Sequence, residues 1–170
     1  MGKYTAAMRE KLAELDPRRV LVVMPSWLGD CVMATPTLAK LRERFASSHL
    51  TALIRSGVAP VLNPCPLLDE RMLWTRGERM GALARRVRRE RFDLAVVLPG
   101  SFRSALLMRL AGVPRRLGYR RDGRGWLLTD HLDPPREAGR LVPTPTLRYY
   151  LRLAGALGCN TDNAPSMRLW

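Results

Sequence analysis

The sequence predicts an α/β fold, a Rossmann-like open parallel sheet with helices on both faces. Short apolar runs of strand length alternate along the chain with longer segments whose apolar residues recur at helical spacing. Strands that alternate with helices form βαβ units, which have right-handed crossovers and give a mainly parallel sheet. The chain has 170 residues, 46 % of them hydrophobic, which suits one domain with a substantial core and excludes two large domains.

The first elements follow from a helix breaker and an apolar run. Residues 6–15 predict a leading helix, and Asp16-Pro17 ends it because the residue before a proline is pushed out of helical geometry. Residues 20–24 are continuously apolar and rich in β-branched side chains, which is typical of a strand buried on both faces. A turn over residues 25–30 follows this strand.

The next segments continue the alternation. Apolar residues recur at helical spacing over residues 34–45, so we expect a helix there, with Pro36 either in its first turn or at a kink. Residues 50–54 predict the second strand, and the weaker pattern of residues 71–74 predicts the third.

A second strong strand lies in the middle of the chain. Residues 80–87 carry the apolar face of a helix, and residues 94–98 then form the clearest strand after the first. Ser101 is a suitable cap for a helix that runs to Gly112, where glycine and the following proline are stop signals.

The last third predicts one short strand, a loop and a helix. Residues 116–119 are the final strand, and residues 129–143 are rich in Pro and Asp and are expected to be a loop. Thr144 is the expected cap of the last helix, with Pro145 in its first turn and Gly158 at its end.

The charge is strongly positive and comes almost entirely from arginine. Lys and Arg total 29 against 15 acidic residues, a formal charge of +14, which favours phosphate or anionic lipid as a partner. The side chains of Arg85, Arg86, Arg88 and Arg89 fall opposite an apolar stripe and are interpreted as a solvated helix face. A second group flanks the last strand, and several of its guanidiniums are expected to converge on a phosphate or carboxylate in fork geometry: Arg115, Arg116, Arg120, Arg121 and Arg124.

Several classes of site are not indicated. Three cysteines without paired metal spacing and two isolated histidines predict a reducing cytoplasm, no metal and no cofactor. No apolar run reaches the length of a signal peptide core or a membrane span, so any membrane contact would be peripheral. The basic window over residues 76–125 holds few aromatics and no nucleic-acid-binding motif, so no specific nucleic acid is expected.

Ligands of open parallel sheets bind beyond the carboxyl ends of the strands, which directs attention to the loop over residues 25–30. Its single glycine matches neither dinucleotide nor P-loop patterns. Gly29 is expected to allow a tight turn, and Trp27 either to stack on a sugar or to close over the sheet edge. For Asp30 two readings stay open, a helix N-cap and a general base for a sugar hydroxyl.

The loop after residues 94–98 offers a second site of the same kind. Ser101 and Arg103 lie at a helix N-terminus, where they would either hydrogen-bond an anion or serve as a cap and a solvated side chain. Cys31 also lies near a helix start, which can lower a thiol pKa, but no histidine is near it and a nucleophile is not indicated.

Ordered blocks over residues 20–157 resemble one family. They include Pro25-Ser26-Trp27-Leu28-Gly29-Asp30, residues 35–38, 98–105 and 111–114, Gly118-Tyr119 and residues 124–129. In this order and spacing they are similar to the bacterial ADP-heptose:lipopolysaccharide heptosyltransferases, and the first block is more similar to the second heptosyltransferase than to the first.

The resemblance implies a GT-B architecture of two Rossmann-like domains and metal-free transfer of heptose from ADP-heptose to the lipopolysaccharide inner core. It implies that Asp30 is the general base. We expect the acceptor to be bound by Ser26, Trp27, Gly29, Ser101, Arg103, Arg120, Arg121 and Arg124.

Members of this family have a second half, which holds the donor nucleotide and its diphosphate. The resemblance over residues 20–157 does not include that half. We therefore expect a leading helix in residues 1–17, an acceptor-side N-terminal domain in residues 18–160 and the start of an interdomain linker in residues 161–170. The implied partners are ADP-heptose, mainly through the missing half, the inner-core acceptor, and a separate C-terminal half. The expected location is the cytoplasm, peripheral to the inner membrane. The alternative is a non-catalytic module that binds anionic glycolipid or another polyanion.

Overall fold

A computed structural model describes residues 6–137 and 140–169. The five α-helices of this part are α1 Ala6–Ala13, α2 Leu28–Arg44, α3 Met80–Arg89, α4 Phe102–Leu110 and α5 Thr146–Ala156. Its main strands are β1 Arg19–Val23, β2 His49–Arg55, β3 Glu70–Trp74, β4 Leu94–Val97, β5 Arg115–Tyr119 and β6 Asp130–Leu132. Two short strands, β7 Arg136–Glu137 and β8 Arg140–Leu141, pair with each other.

Six strands form one parallel sheet in the order β3-β2-β1-β4-β5-β6. The chain runs outward from β1 to β3, returns to the centre, and runs outward again from β4 to β6. The predicted open parallel sheet is confirmed. Its strand order reverses between β1 and β4, so a crevice is expected there beyond the carboxyl ends of the strands.

The two faces of the sheet bury separate apolar layers, because successive side chains of a strand point to opposite sides. Val20 and Val22 of β1 pack in the layer that includes residues of α1, α2 and α5. Leu21 and Val23 pack in the layer that includes residues of α3 and α4. The prediction of helices on both faces is confirmed, and each face brings a different helix N-terminus to the edge where the strands end.

Helix α2 begins at Leu28, close to the start expected near Asp30, and Pro36 lies inside it. Proline has no N–H to donate to the carbonyl four residues earlier, which here belongs to Val32. The Thr35 hydroxyl donates to this carbonyl at 2.7 Å. This hydrogen bond supplies the missing donor and lets α2 continue past the proline.

The predicted loop over residues 129–143 is wrong in part, because it contains β6 and both of the short strands β7 and β8. Strand β6 has only three residues, of which Leu132 is the sole apolar one, too short a pattern for a period to be visible. The Thr144 cap is also wrong: Pro145 is the N-cap of α5 and makes no side-chain capping bond. Ser101 does cap α4, since its hydroxyl accepts from the Ser104 backbone N–H at 3.3 Å.

Residues 1–5 of the predicted leading segment lie outside the described residues, as do residues 138–139 and 170. None of the helices in the described part is long and apolar enough to cross a membrane.

Candidate functional site

A cleft of about 290 Å³ opens at the carboxyl ends of the central strands, on the side of the sheet covered by α2 and α5. Asp30 comes from the first turn of α2, Leu98 and Gly100 from the end of β4, and Arg121 from the end of β5. The opposite wall comes from the β6–α5 segment: Pro134, Pro135, Leu141, Val142, Thr144, Thr146, Tyr149 and Tyr150. A larger hollow of about 620 Å³ follows the outer edge of β3 and does not include these loops.

Asp30 is the third residue of α2, and its carboxylate is half-buried in the cleft wall. The N-cap of α2 is Trp27, and no side chain makes a capping hydrogen bond there, so the N-cap reading of Asp30 is wrong. The carboxylate forms no hydrogen bond or ion pair with another described residue. Its lone pairs are therefore available to a ligand in the cleft.

Asp30 also acts on its neighbour Tyr150, which lies across the cleft on α5. Burial, with the Asp30 charge as the next cause, raises the pKa of the Tyr150 phenol well above its usual range. Tyr150 is therefore neutral at physiological pH, and its hydroxyl can donate a hydrogen bond.

Cys31, the residue after Asp30, is not a candidate nucleophile. Its Sγ donates to the Pro25 carbonyl oxygen at 3.1 Å, and its side chain is buried. Burial, with Asp30 as a second cause, raises the pKa of the thiol to about 11. Burial and Asp30 therefore outweigh any lowering of the thiol pKa by the helix start. The Cys31 thiol is buried and un-ionised at neutral pH, whereas a nucleophilic cysteine is exposed and ionised.

The predicted residues before Asp30 form an exposed rim. Ser26 and Gly29 are exposed, and the side chain of Trp27 is 78 % exposed. Trp27 therefore does not close over the sheet edge. The predicted reason for Gly29, a tight turn, is wrong, because Gly29 lies inside α2 and does not have a positive φ. A Cβ atom at Gly29 would meet nothing within 4 Å, so the glycine leaves open space at the rim.

Arg121 and Tyr149 face each other on the far wall. The Tyr149 hydroxyl lies beside the Arg121 guanidinium without a well-aligned hydrogen bond, and this contact raises the pKa of Arg121. The Tyr149 ring stacks on Tyr119 with centroids 3.7 Å apart, and the Tyr119 hydroxyl donates to the Tyr149 carbonyl oxygen. These contacts fix Tyr149, and Arg121 also approaches Asp122 at 3.2 Å.

Arg124 is fully buried and holds two loops together. Its Nε donates to the Tyr119 carbonyl at 2.9 Å, and its Nη1 donates to those of Pro99 and Ser101 at 2.6 and 2.9 Å. Burial lowers the pKa of this guanidinium, and its Nη2 has no partner in the described residues. Arg124 therefore ties the loop after β4 to the loop after β5.

The expected convergence of several of the five arginines around the last strand on one anion is wrong. Arg115 and Arg116 begin β5 while Arg120 and Arg121 follow its end, and a strand rises about 3.3 Å per residue, so the two groups lie about 16 Å apart. Arg115 pairs with Asp130 at 2.8 Å, and Arg120 pairs with Asp133 at 2.8 Å. Of these five, only Arg121 lines the cleft.

Arg103 lies on the other side of the α4 N-terminus, next to Trp74 rather than in the cleft. Ser101, the cap of α4, is exposed. The candidate site residues predicted from the sequence include none from the last helix, so the part that α5 plays in the cleft was missed. The polar residues Thr144 and Thr146 at the start of α5 were the available signal.

Within the described residues, no group of three or more His, Cys, Asp or Glu side chains is arranged to hold a metal ion. The cleft therefore presents one carboxylate, one guanidinium, tyrosines and threonines. Such a set can bind hydroxyl groups and an anionic group, and it can accept a proton from a bound hydroxyl.

The sequence matches known proteins across this site. Residues 80–142 match glycosyltransferase family 9 (heptosyltransferase). The chain is 30 % identical over 160 residues to lipopolysaccharide heptosyltransferase 2 of Escherichia coli. Over these residues the chain is therefore similar to heptosyltransferases. It is also 31 % identical over 118 residues to lipopolysaccharide heptosyltransferase 2 of Salmonella typhimurium.

These matches cover most of this chain and less than half of each relative. The first covers 89 % of this chain and 45 % of the E. coli protein, and the second covers 66 % and 34 %.

Solved heptosyltransferase structures share the fold. A family 9 glycosyltransferase from Veillonella parvula superposes with a TM-score of 0.79 at 21 % identity, over 92 % of this chain and 46 % of that one. E. coli ADP-heptose lipopolysaccharide heptosyltransferase II superposes with a TM-score of 0.72 at 26 % identity, over 89 % and 46 %. The predicted Rossmann-like fold, as about half of a heptosyltransferase of GT-B architecture, is confirmed.

Proposed function

We propose that this chain supplies the acceptor side of a heptosyltransferase that transfers heptose from ADP-heptose to the lipopolysaccharide inner core. The unpaired Asp30 carboxylate in the cleft carries the proposal. It lies where the strand order reverses, which is where open parallel sheets bind ligands, and it is half-buried without a partner among the described residues. The names of the relatives support the choice of sugar and acceptor.

In the proposed reaction Asp30 is the general base. Asp30 takes the proton of an acceptor hydroxyl while that oxygen bonds to the anomeric carbon of the heptose. The bond from this carbon to the diphosphate breaks, and ADP leaves with its electron pair. Efficient proton transfer requires the acceptor hydroxyl to be held within hydrogen-bonding distance of the Asp30 carboxylate.

The rest of the cleft would position the acceptor. Arg121 is the guanidinium that lines the cleft and would bind an acidic group of the inner core. Trp27 and Gly29 at the rim are exposed and would contact a sugar ring, and Ser26 and Ser101 are exposed close to the same loops. Arg124 would act indirectly, because its hydrogen bonds hold the backbone of the Pro99–Ser101 loop.

The test uses a chimera in which this chain precedes the part of E. coli lipopolysaccharide heptosyltransferase 2 that the match leaves uncovered. ADP release is measured with ADP-heptose and heptose-deficient inner-core lipopolysaccharide. Asp30→Asn is expected to reduce the transfer rate by about 10²–10⁴-fold, the usual contribution of a general base. In this chain alone, without the E. coli part, Asp30→Asn should change the affinity for the acceptor by no more than about twofold. Asp162→Asn, an exposed carboxylate beyond α5, is the matched control.

Equal transfer by Asp30→Asn and parent would remove Asp30 from the mechanism. A chimera that folds, binds ADP and binds the acceptor but transfers nothing would instead favour the non-catalytic glycolipid-binding module.

A further inference from the structure

Two arginines share one indole ring at the carboxyl ends of the strands, on the opposite side of the sheet from the cleft. Arg55 ends β2 and Trp74 ends β3, and parallel pairing makes them direct neighbours. The Arg55 guanidinium carbon lies 3.6 Å from the Trp74 ring centroid, and that of Arg103, from the first turn of α4, lies 5.5 Å from it. This cluster is the Arg55–Trp74–Arg103 site.

The positive charge of this site is not neutralised within the described residues. Neither guanidinium forms an ion pair or a hydrogen bond with another described residue. Burial and the nearby Arg103 charge lower the pKa of Arg55, so the two cations repel each other. The first turn of α4 adds the positive end of a helix dipole. Holding like charges together costs free energy, which an anion bound between them would offset.

Trp74 provides a second observation. Its side chain is only 6 % exposed, yet its indole Nε1 has no hydrogen-bond partner in the described residues. Buried polar groups are usually hydrogen-bonded. The ring packs in the layer formed with α3 and α4, which fixes its position and that of the arginines stacked on it.

We propose that the Arg55–Trp74–Arg103 site binds a phosphate group. A phosphate monoester carries a charge of about −1.5 to −2 at pH 7 and has three acceptor oxygens, which matches two guanidinium forks. A carboxylate carries one charge and matches one fork. The bound phosphate is a phosphate group of the acceptor molecule. This choice of acceptor as the molecule that carries the phosphate rests on the proposed function. The acceptor then spans the sheet edge, with its reacting hydroxyl at Asp30 and its phosphate on the α3 side.

The test begins with the ¹⁵N-labelled chain and inorganic phosphate at constant ionic strength. The indole N–H resonance of Trp74, assigned with Trp74→Phe, is expected to shift and saturate. Arg55→Gln and Arg103→Gln should each weaken phosphate binding at least tenfold. Arg85→Gln, which removes one exposed charge from α3, should stay within twofold. Acetate should bind at least tenfold more weakly than phosphate.

Arg103 is exposed, so Arg103→Gln keeps the test valid if Arg55→Gln does not fold. A shift that does not saturate, or equal weakening by Arg85→Gln, would overturn the proposal in favour of diffuse attraction. These titrations need neither donor nor transfer, so their outcome is independent of Asp30. Binding of acceptor with and without its phosphates then tests the source: dephosphorylation should weaken binding by the parent tenfold, and binding by Arg103→Gln by less than twofold. If dephosphorylation of the acceptor weakened binding equally in the parent and in Arg103→Gln, the site would bind phosphate but not the phosphate of the acceptor.

Discussion

At the amino ends of the strands Asp93, Arg19 and Glu90 are paired within the fold, whereas at the carboxyl ends Asp30, Arg55 and Arg103 have no such partner in the described residues. Asp93 accepts hydrogen bonds from the backbone N–H groups of Arg18 and Arg19 at 2.8 and 2.9 Å, and Arg19 pairs with Glu90 at 2.8 Å. At the other end, Asp30 and the two arginines on Trp74 lack oppositely charged partners in the described residues. The difference separates charges that stabilise the fold from charges left available to ligands.

Arg124 is the clearest exception, because it lies at the carboxyl ends of the strands and yet donates hydrogen bonds to the fold from Nε and Nη1. Only its Nη2 has no partner in the described residues. Arg124→Met is expected to lower the free energy of unfolding by about 3 kcal/mol or more, since three carbonyl oxygens lose their donor. Urea denaturation measures this change, with Arg85→Met as the exposed control. A loss no larger than that of the control would place Arg124 with the charges available to ligands.

Asp93 and Asp30 test the comparison directly, since they are carboxylates at opposite ends of the sheet. Asp93→Ala removes the acceptor of two backbone N–H groups and should cost about 2 kcal/mol of stability. Asp30→Ala breaks no hydrogen bond within the described residues and should change stability by less than about 0.5 kcal/mol. Equal losses in urea denaturation would break the distinction between the two ends.

Asp69, just before β3, is a paired carboxylate at the amino ends whose contribution to stability should depend on pH. Burial raises the pKa of its carboxyl, but the Leu50 backbone N–H and the Arg42 guanidinium outweigh burial and hold the pKa below its usual value of 3.8. A pKa lower in the folded than in the unfolded state stabilises the fold above the unfolded pKa, and the contribution disappears as the pH falls through the folded pKa.

Asp69→Asn should therefore be less stable than the parent at pH 7 and equal to it in strong acid. Unfolding curves recorded across this range measure the difference. A stability difference that does not depend on pH would contradict the assigned cause.

The cysteines give the smallest expected effect, on reactivity rather than stability. Burial raises the pKa values of Cys31 and Cys159 to about 11 and also raises that of Cys65. In the folded chain, alkylation by iodoacetamide at pH 8, followed by mass spectrometry, should be at least about tenfold slower than in urea. Rapid labelling of Cys31 would show that the start of α2 opens at the rim of the cleft.

The sheet was predictable because its central strands are long apolar runs, whereas β6 has a single apolar residue and gives no period to detect. The position of Asp30 followed from the rule that ligands bind beyond strand ends, but the α5 wall depends on tertiary packing of Tyr150 against distant residues. The contact between Arg55 and Trp74 depends on strand register, and no local pattern encodes a register between residues that far apart in sequence.

The strand order also divides the molecule in a way that suits fragment complementation. Within the described sheet, β1 to β3 pair among themselves, β4 to β6 do likewise, and the β1–β4 ladder joins the two sets. A cut in the exposed turn around Gly77 would leave Asp30 and Arg55 on one fragment, and Arg121 and Arg103 on the other. Each of the two anionic-ligand regions would then form only on reassembly, so ligand binding would report the rejoining of the β1–β4 ladder.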